Sequence, residues 1–229
     1  MTSLLNPISL APVNPIELTP GPHHDGEGYD LLEAVALHAG ERHSAWPESV
    51  SEVAAAFLQM VNDAMLDSDR QRLLVFLSPL ASTGREPDHA KREQDRRCIL
   101  LDSATRVFLP VALMRVNLQS HAPAFAGISS ILQPTGAQRV AEELDLLQGR
   151  SELSPVSDLI QGVAVACRTL PTAKTKRDIG LAVLKAFDPL NLCFDSKVRA
   201  LAVRSAMECI ECLLNPKSSR RGWLRQKVQ

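Results

Sequence analysis

Residues 47–65 read Pro47-Glu-Ser-Val-Ser-Glu-Val-Ala-Ala-Ala-Phe-Leu-Gln-Met-Val-Asn-Asp-Ala-Met65, with Val50, Val53, Ala54, Phe57, Leu58 and Val61 recurring every three or four positions. That period gathers the apolar side chains on one stripe of an α-helix, whereas a half-buried strand requires alternation. Proline is well suited to a first helical turn, where its missing amide hydrogen would have no partner, so the segment predicts a helix from Pro47 to about Met65. Upstream, Leu31, Leu32, Val35 and Ala36 predict a helix over 29–39 that stops at Gly40.

Downstream the same period continues almost to the end. Asp67 or Ser68 is placed to cap a helix through Leu73, Leu74, Phe76 and Leu77. An arginine-rich helix is expected over 88–109, where Pro110 should kink or end it. Further helices are expected over 122–132, 138–147, 156–170, 175–187 and 197–214, punctuated by Gly149, Pro155, Pro171, Pro189 and Pro216. No segment alternates β-branched residues, and the spacings follow no fixed repeat. The fold class is therefore all-α: an irregular bundle of about nine helices, with no repeat solenoid.

The 229 residues are 45% hydrophobic, 22% charged and 4% aromatic, which suits a folded chain rather than a disordered or collagenous one. Formal charge is -1, but residues 215–229 hold five basic and no acidic side chains, so residues 1–214 carry 20 basic against 26 acidic. Bulk charge thus argues against a polyanion binder, and only the tail is basic. No run of about 18 apolar residues occurs, so no membrane span is expected. Five scattered cysteines and the absence of a secretory signal pattern point to a reduced, cytoplasmic protein.

Five of the fifteen prolines fall within residues 1–28, which predicts an extended arm, either a solvated leader or a strap lying along a surface. A helical domain over 29–117 follows, then a connector over 118–135 rich in Pro, Gly, Ser and Gln. A second helical domain over 136–214 and the basic tail 215–229 complete the chain.

Within 29–116, Gly40-Glu41 follows a short helix, Ser44 and Pro47 form a Ser-x-x-Pro turn, and Asn62-Asp63-Ala64 closes the next helix. Asp67, Asp69 and Arg70 make an acidic turn with an arginine, Thr83-Gly84 a loop, and Arg96, Arg97, Asp102, Arg106 and Pro110 a further helix. This pattern resembles an uncharacterised family of helical domains, chiefly actinobacterial and so bacterial, that has no assigned activity. The chain departs from it at Ala45, usually acidic in the family, and at Ser103, usually Trp. The resemblance implies a helical fold and supplies no function.

Glu41, His43, Asp63, Arg70, Arg97, Asp102 and Arg106, with Asn62 and Asp69 beside them, form a candidate polar cleft. Their structural reading has Asp63 and Asp69 capping helices or pairing with Arg70, and Asp102 with Arg106 as an exposed i,i+4 pair. His38, Glu41 and His43, and likewise His23, His24, Asp25 and Glu27, carry metal-donor atoms without His-x-x-x-His spacing. Cys209 and Cys212 form a Cys-x-x-Cys late in a helix, where the dipole does not favour a thiolate, and no second pair completes a zinc site. Ser44 beside His43, and Cys98, lack the partners of a catalytic nucleophile. No metal, cofactor or catalytic residue is assigned.

The favoured reading is an accessory protein that binds another macromolecule, most simply a protein, through a helical groove with the arm or tail, and performs no catalysis. A second is an enzyme with a polar, metal-assisted cleft around Glu41, His43, Asp63 and Arg97. A third is nucleic-acid binding through the tail, where Lys217, Arg220, Arg221, Arg225 and Lys227 flank Trp223. The same tail residues are the candidate partner-binding set.

Overall fold

Where each helix of this chain begins and ends follows from a few polar contacts. The structure, a computed structural model, describes residues 16–24, 27–131, 133–191, 193–194 and 196–216. Helix α1 (Leu31–His38) starts at Asp30, whose carboxylate accepts from the Glu33 amide while the Glu33 carboxylate accepts from the Asp30 amide. It ends as expected at Gly40, which takes a φ of +69°, so that the amides of Gly40 and Glu41 turn back to the Leu37 and Ala36 carbonyls.

Helix α2 (Glu52–Ala64) starts at Glu52 rather than at Pro47, with the Ser51 hydroxyl accepting from the Ala54 amide at 3.1 Å. In a helix extended back to Pro47, the Ser49 carbonyl and the Val53 amide would bond each other. Instead the Ser49 carbonyl accepts from the Gly84 amide at 2.7 Å, and the Val53 amide donates to the Glu93 carboxylate at 3.2 Å. Tertiary partners thereby hold residues 47–50 as a turn. Helix α3 (67–80) has Leu66 at its cap position, not Asp67 or Ser68; Asp67 lies in the first turn and pairs with Arg70. Its middle, Gln71–Phe76, is a 3-10 segment.

Helix α4 (89–115) is not ended by Pro110, one of the two outcomes expected there, for it runs on to Arg115. Residues Ala104–Phe108 widen into a π segment in which the Leu109 amide reaches the Ala104 carbonyl. Just before it, the Ser103 hydroxyl donates to the Ile99 carbonyl at 2.7 Å, and the Thr105 hydroxyl to the Leu101 carbonyl at 2.9 Å. The wide turn absorbs the ring of Pro110, which would otherwise strike the carbonyl one turn back.

Helix α5 (119–126) stops well short of residue 132 because the Ser129 and Ile131 amides donate to the Glu143 and Asp102 carboxylates instead of to helix carbonyls. Helix α6 (Pro134–Gln148) starts at Pro134, earlier than expected, and α7 (151–172) follows. Helix α8 (Lys176–Asn191) is preceded by Thr175, whose hydroxyl accepts from the Asp178 amide at 3.1 Å, and it continues through Pro189. Pro189 offers no amide hydrogen to the Lys185 carbonyl, and that oxygen lies against Gly162 of α7, where a Cβ would come within 2.8 Å. Helix α9 (Arg199–Leu214) follows, and the described residues end at Pro216.

Among the described residues these nine helices are joined by no strand, only by a lone Leu18–Tyr29 bridge, so the fold is the expected all-α bundle. Its centre is Phe57 of α2, Phe108 of α4 and Phe187 of α8, with ring centroids 4.7–6.4 Å apart. Residues from both sides of the expected 118–135 boundary meet in one hydrophobic cluster, to which Phe125, Ile128 and Ile131 of that connector also belong. The halves are thus packed on one another.

Gly84 is required by close approach: a Cβ there would lie 2.3 Å from the Glu48 carbonyl oxygen and 2.8 Å from the Ser49 carbonyl carbon. Both are backbone atoms and cannot swing aside. Gly84→Ala is expected to destabilise the fold by about 1–3 kcal/mol, read as a lower urea midpoint.

Candidate functional site

Residues 16–24 and 27–28 of the expected arm form a strap on the chain's own surface, residues 1–15 lying outside the described residues, and the strap is held by side chains that imitate a backbone neighbour. The Gln71 amide both accepts from the Leu18 amide at 2.9 Å and donates to the Leu18 carbonyl at 2.8 Å. Asn62, fully buried at the end of α2, donates to the Thr19 carbonyl and accepts from the Leu31 amide. Asp63 accepts from the Gly21 amide at 2.8 Å. Leu18, only 1% exposed, goes into the core.

The strap then delivers His23 to Glu33, a residue absent from the sequence-derived candidates. The Glu33 carboxylate accepts from the His23 amide at 2.8 Å and from His23 Nδ1 at 2.9 Å, and His43 Nε2 lies 3.2 Å from it on the other side. His43 Nε2 also donates to the His23 carbonyl at 2.8 Å, which locks strap and 41–48 loop together. Burial alone would raise the Glu33 carboxyl. The donors from His23 and Asp30, with the charge of His43, outweigh it and hold the group below its ordinary value. The signal that could have found Glu33 is the Asp-x-x-Glu capping pattern.

The loop so fixed builds a groove. Glu41 accepts from the Glu48 amide and from Arg85, and the Ser44 hydroxyl accepts from the Trp46 amide, so both ends of the 41–48 segment are tied down. An open cavity of about 440 Å³ is lined by Arg42, His43, Trp46, Glu48 and Lys176 among others. A smaller one of about 190 Å³ adjoins it, sharing Trp46, Pro47, Glu48 and Lys176. Lys176 Nζ lies 5.9 Å from the Trp46 ring centroid, within cation–π range. Trp46 and Lys176 were not among the sequence-derived candidates, since one lies in a loop and the other opens a helix 130 residues later.

The remaining candidates are spread over the fold. Glu41 and His43 share this groove, whereas Asp63 lines a different cavity against α8. Arg70 is buried and caps the end of α2, donating to the Asn62 carbonyl at 2.7 Å and to the Met65 carbonyl; its ion-pair partner is Asp67, while Asp69 faces Arg72 and Arg199. Arg97 donates to the Leu170 and Pro171 carbonyls at the end of α7. Asp102 is not an exposed partner for Arg106: it is 6% exposed and also accepts from the Ile131 amide and the Ser130 hydroxyl. Arg70, Arg97 and Asp102 therefore join structural elements rather than line one concavity, and Arg106 pairs with Asp102 on its own helix.

Cys209 is buried and its thiol lies 3.6 Å from the Ser103 hydroxyl, and burial pushes the Cys167 thiol up to about 12. Among the described residues no group of three His, Cys, Asp or Glu is placed to hold a metal, and no helix is long and apolar enough to cross a membrane. Asp25 and the tail residues Lys217, Arg220, Arg221, Trp223, Arg225 and Lys227 lie outside the described residues. No protein-family model, curated protein or solved structure matches the chain.

Asp30, 1% exposed beneath the strap, has its carboxyl raised to about 6 by burial, with the neighbouring charges of Glu33 and Asp63 adding to the rise against two backbone donors. A folded-state value above the ordinary 3.8 means that protonation favours the fold. Its contribution is full below that ordinary value and is lost as pH rises through about 6. The stability of the wild type minus that of Asp30→Asn should therefore fall over that window, measured by urea unfolding at a series of pH values.

Proposed function

We propose that this chain is an interaction module that binds a partner protein in the Trp46 groove and performs no catalysis of its own. The observation that carries the reading is the pair of adjoining cavities sharing Trp46, Pro47, Glu48 and Lys176 on a loop fixed at Glu41 and His43. Tryptophan is favoured as an anchor because it buries a large area at little cost in rotamer entropy. A loop already tied down loses little further freedom on binding, so more of the contact energy is left for affinity. Arg42 and Lys176 beside the indole favour an acidic side chain next to the partner's apolar anchor, and Glu48 sets a counter-charge at the rim.

In this reading the strap supports the groove from behind through the His23–His43 contact. A cytoplasmic setting accords with it, since Cys98, Cys167, Cys193 and Cys209 are packed in the core, where they behave as small apolar side chains. The resemblance to the actinobacterial helical domains is part of the same proposal: Gly40, Thr83, Gly84 and Arg96 are the positions that shape the loop and its support.

The test compares proteins co-purified with the tagged wild type, with Trp46→Ala and with Lys176→Glu, each nuclease-treated, by quantitative mass spectrometry. A stoichiometric partner held by the wild type should drop at least about tenfold with Trp46→Ala, while the melting temperature of the variant stays close to that of the wild type. Equal recovery with both variants rejects the groove. Recovery that vanishes on nuclease treatment transfers the function to nucleic-acid binding.

A further inference from the structure

Helix α8 presents to solvent a stripe made of Arg177, Leu181, Leu184 and Asp188, spaced four, three and four residues apart. Leu181 and Leu184 are 50% and 48% exposed, while Ile179, Val183, Ala186, Phe187 and Leu190 of the same helix are fully buried. The ridge stands between two open depressions. One, of about 490 Å³, lies towards Ala56, Met60 and Ala64 of α2; the other, of about 390 Å³, lies towards Val165 and Thr169 of α7. Polar walls border both hollows, Gln59 and Asp63 in the first and Arg168, Asp178 and Lys185 in the second, so the apolar part of the face is the ridge itself.

We infer that this face is the seam of a homodimer in which the α8 helices of two copies pack antiparallel about a two-fold axis near residues 182 and 183. The order of the stripe carries the inference. Arg177 and Asp188 are equally far from that midpoint, and so are Leu181 and Leu184. An antiparallel second copy therefore sets Arg177 against Asp188 twice and leucine against leucine between them, whereas a parallel copy opposes like charges. A two-fold interface needs a self-complementary patch of this kind. Among the described residues the Arg177 and Asp188 side chains form no ion pair or hydrogen bond within the chain, although the Lys185 charge one turn back acts on Asp188, so the proposed pair adds to a contact already present.

This surface is separate from the Trp46 groove, so the two readings stand or fall independently.

Sedimentation velocity on the full chain tests the seam. The wild type is expected to be a dimer at about 100 μM, and Leu184→Asp a monomer with an unchanged circular dichroism spectrum and melting temperature. Arg177→Asp and Asp188→Arg should each weaken dimerisation by at least about tenfold, because each opposes like charges twice. The double variant Arg177→Asp/Asp188→Arg should recover it, since exchanging the two charges restores both pairs.

A wild type that stays monomeric overturns the inference. So does a double variant no better than the singles, which would deny the antiparallel register. If the wild type is a monomer and deletion of residues 1–15 or 217–229 raises hydrogen exchange along α8, the face is covered by the chain's own terminus and the homodimer is again rejected. Trp46→Ala must leave the dimer intact.

Discussion

The buried guanidinium of Arg96 is the constraint around which the bundle is arranged. It is fully buried, pairs with Glu86 and Glu93, and donates to the Leu213 carbonyl at 2.9 Å, across 117 residues of sequence. A charge withdrawn from water is tolerated only when its donors are met, so every partner must be in place at once. Glu93 spends its other oxygen on the Val53 amide at the start of α2. The start of α2, the 83–86 loop and the last turn of α9 are consequently positioned by one side chain. Arg97, the next residue, meets the carbonyls that end α7, and Asp102 pins the segment before α6 at the Ile131 amide. Helix α4 is a polar spine whose side chains finish what other helices leave unbonded.

The same economy operates around the strap. Gln71, Asn62, Asp63 and Glu33 supply the hydrogen bonds that a neighbouring strand would supply, which lets a proline-rich segment lie on a helical surface with its amides satisfied. The price is the burial of carboxylates, and the two at the α1 start respond in opposite directions. Glu33 gathers donors and favours its charge; Asp30, with one buried oxygen left without a partner, disfavours it. The groove beside Trp46 depends on this arrangement because His43 and Glu41 are the residues that fix its floor.

Much of this was legible locally. The period through Phe57 and Val61, the stop at Gly40 and the Thr175 start of α8 are decided within a few residues, and they read correctly. Pro47 and Pro189 did not, and Pro110 did not end its helix, for one shared reason: a proline removes a hydrogen bond, and whether the helix stops depends on what else is at hand. At Pro47 the backbone was taken by Gly84 and Glu93; at Pro110 a π segment made room; at Pro189 the Lys185 carbonyl lies against Gly162. Glu41 and His43, which line the groove, attract notice in the sequence as polar residues near a helix end, but Trp46 and Lys176 carry no local pattern, since what brings them together is the packing of a loop against a distant helix.

The sequence by itself determined the helical class, most helix positions and the non-helical course of residues 16–24, because periodicity, capping and proline are short-range effects that the chain carries wherever it goes. Tertiary structure alone decided which polar residues became struts, that both halves share the Phe57, Phe108 and Phe187 core, and where a groove opens. The physical reason is that a buried charge or an unpaired carbonyl names no partner in advance: it takes the donor that packing brings, and packing sums weak contacts over residues far apart in the chain.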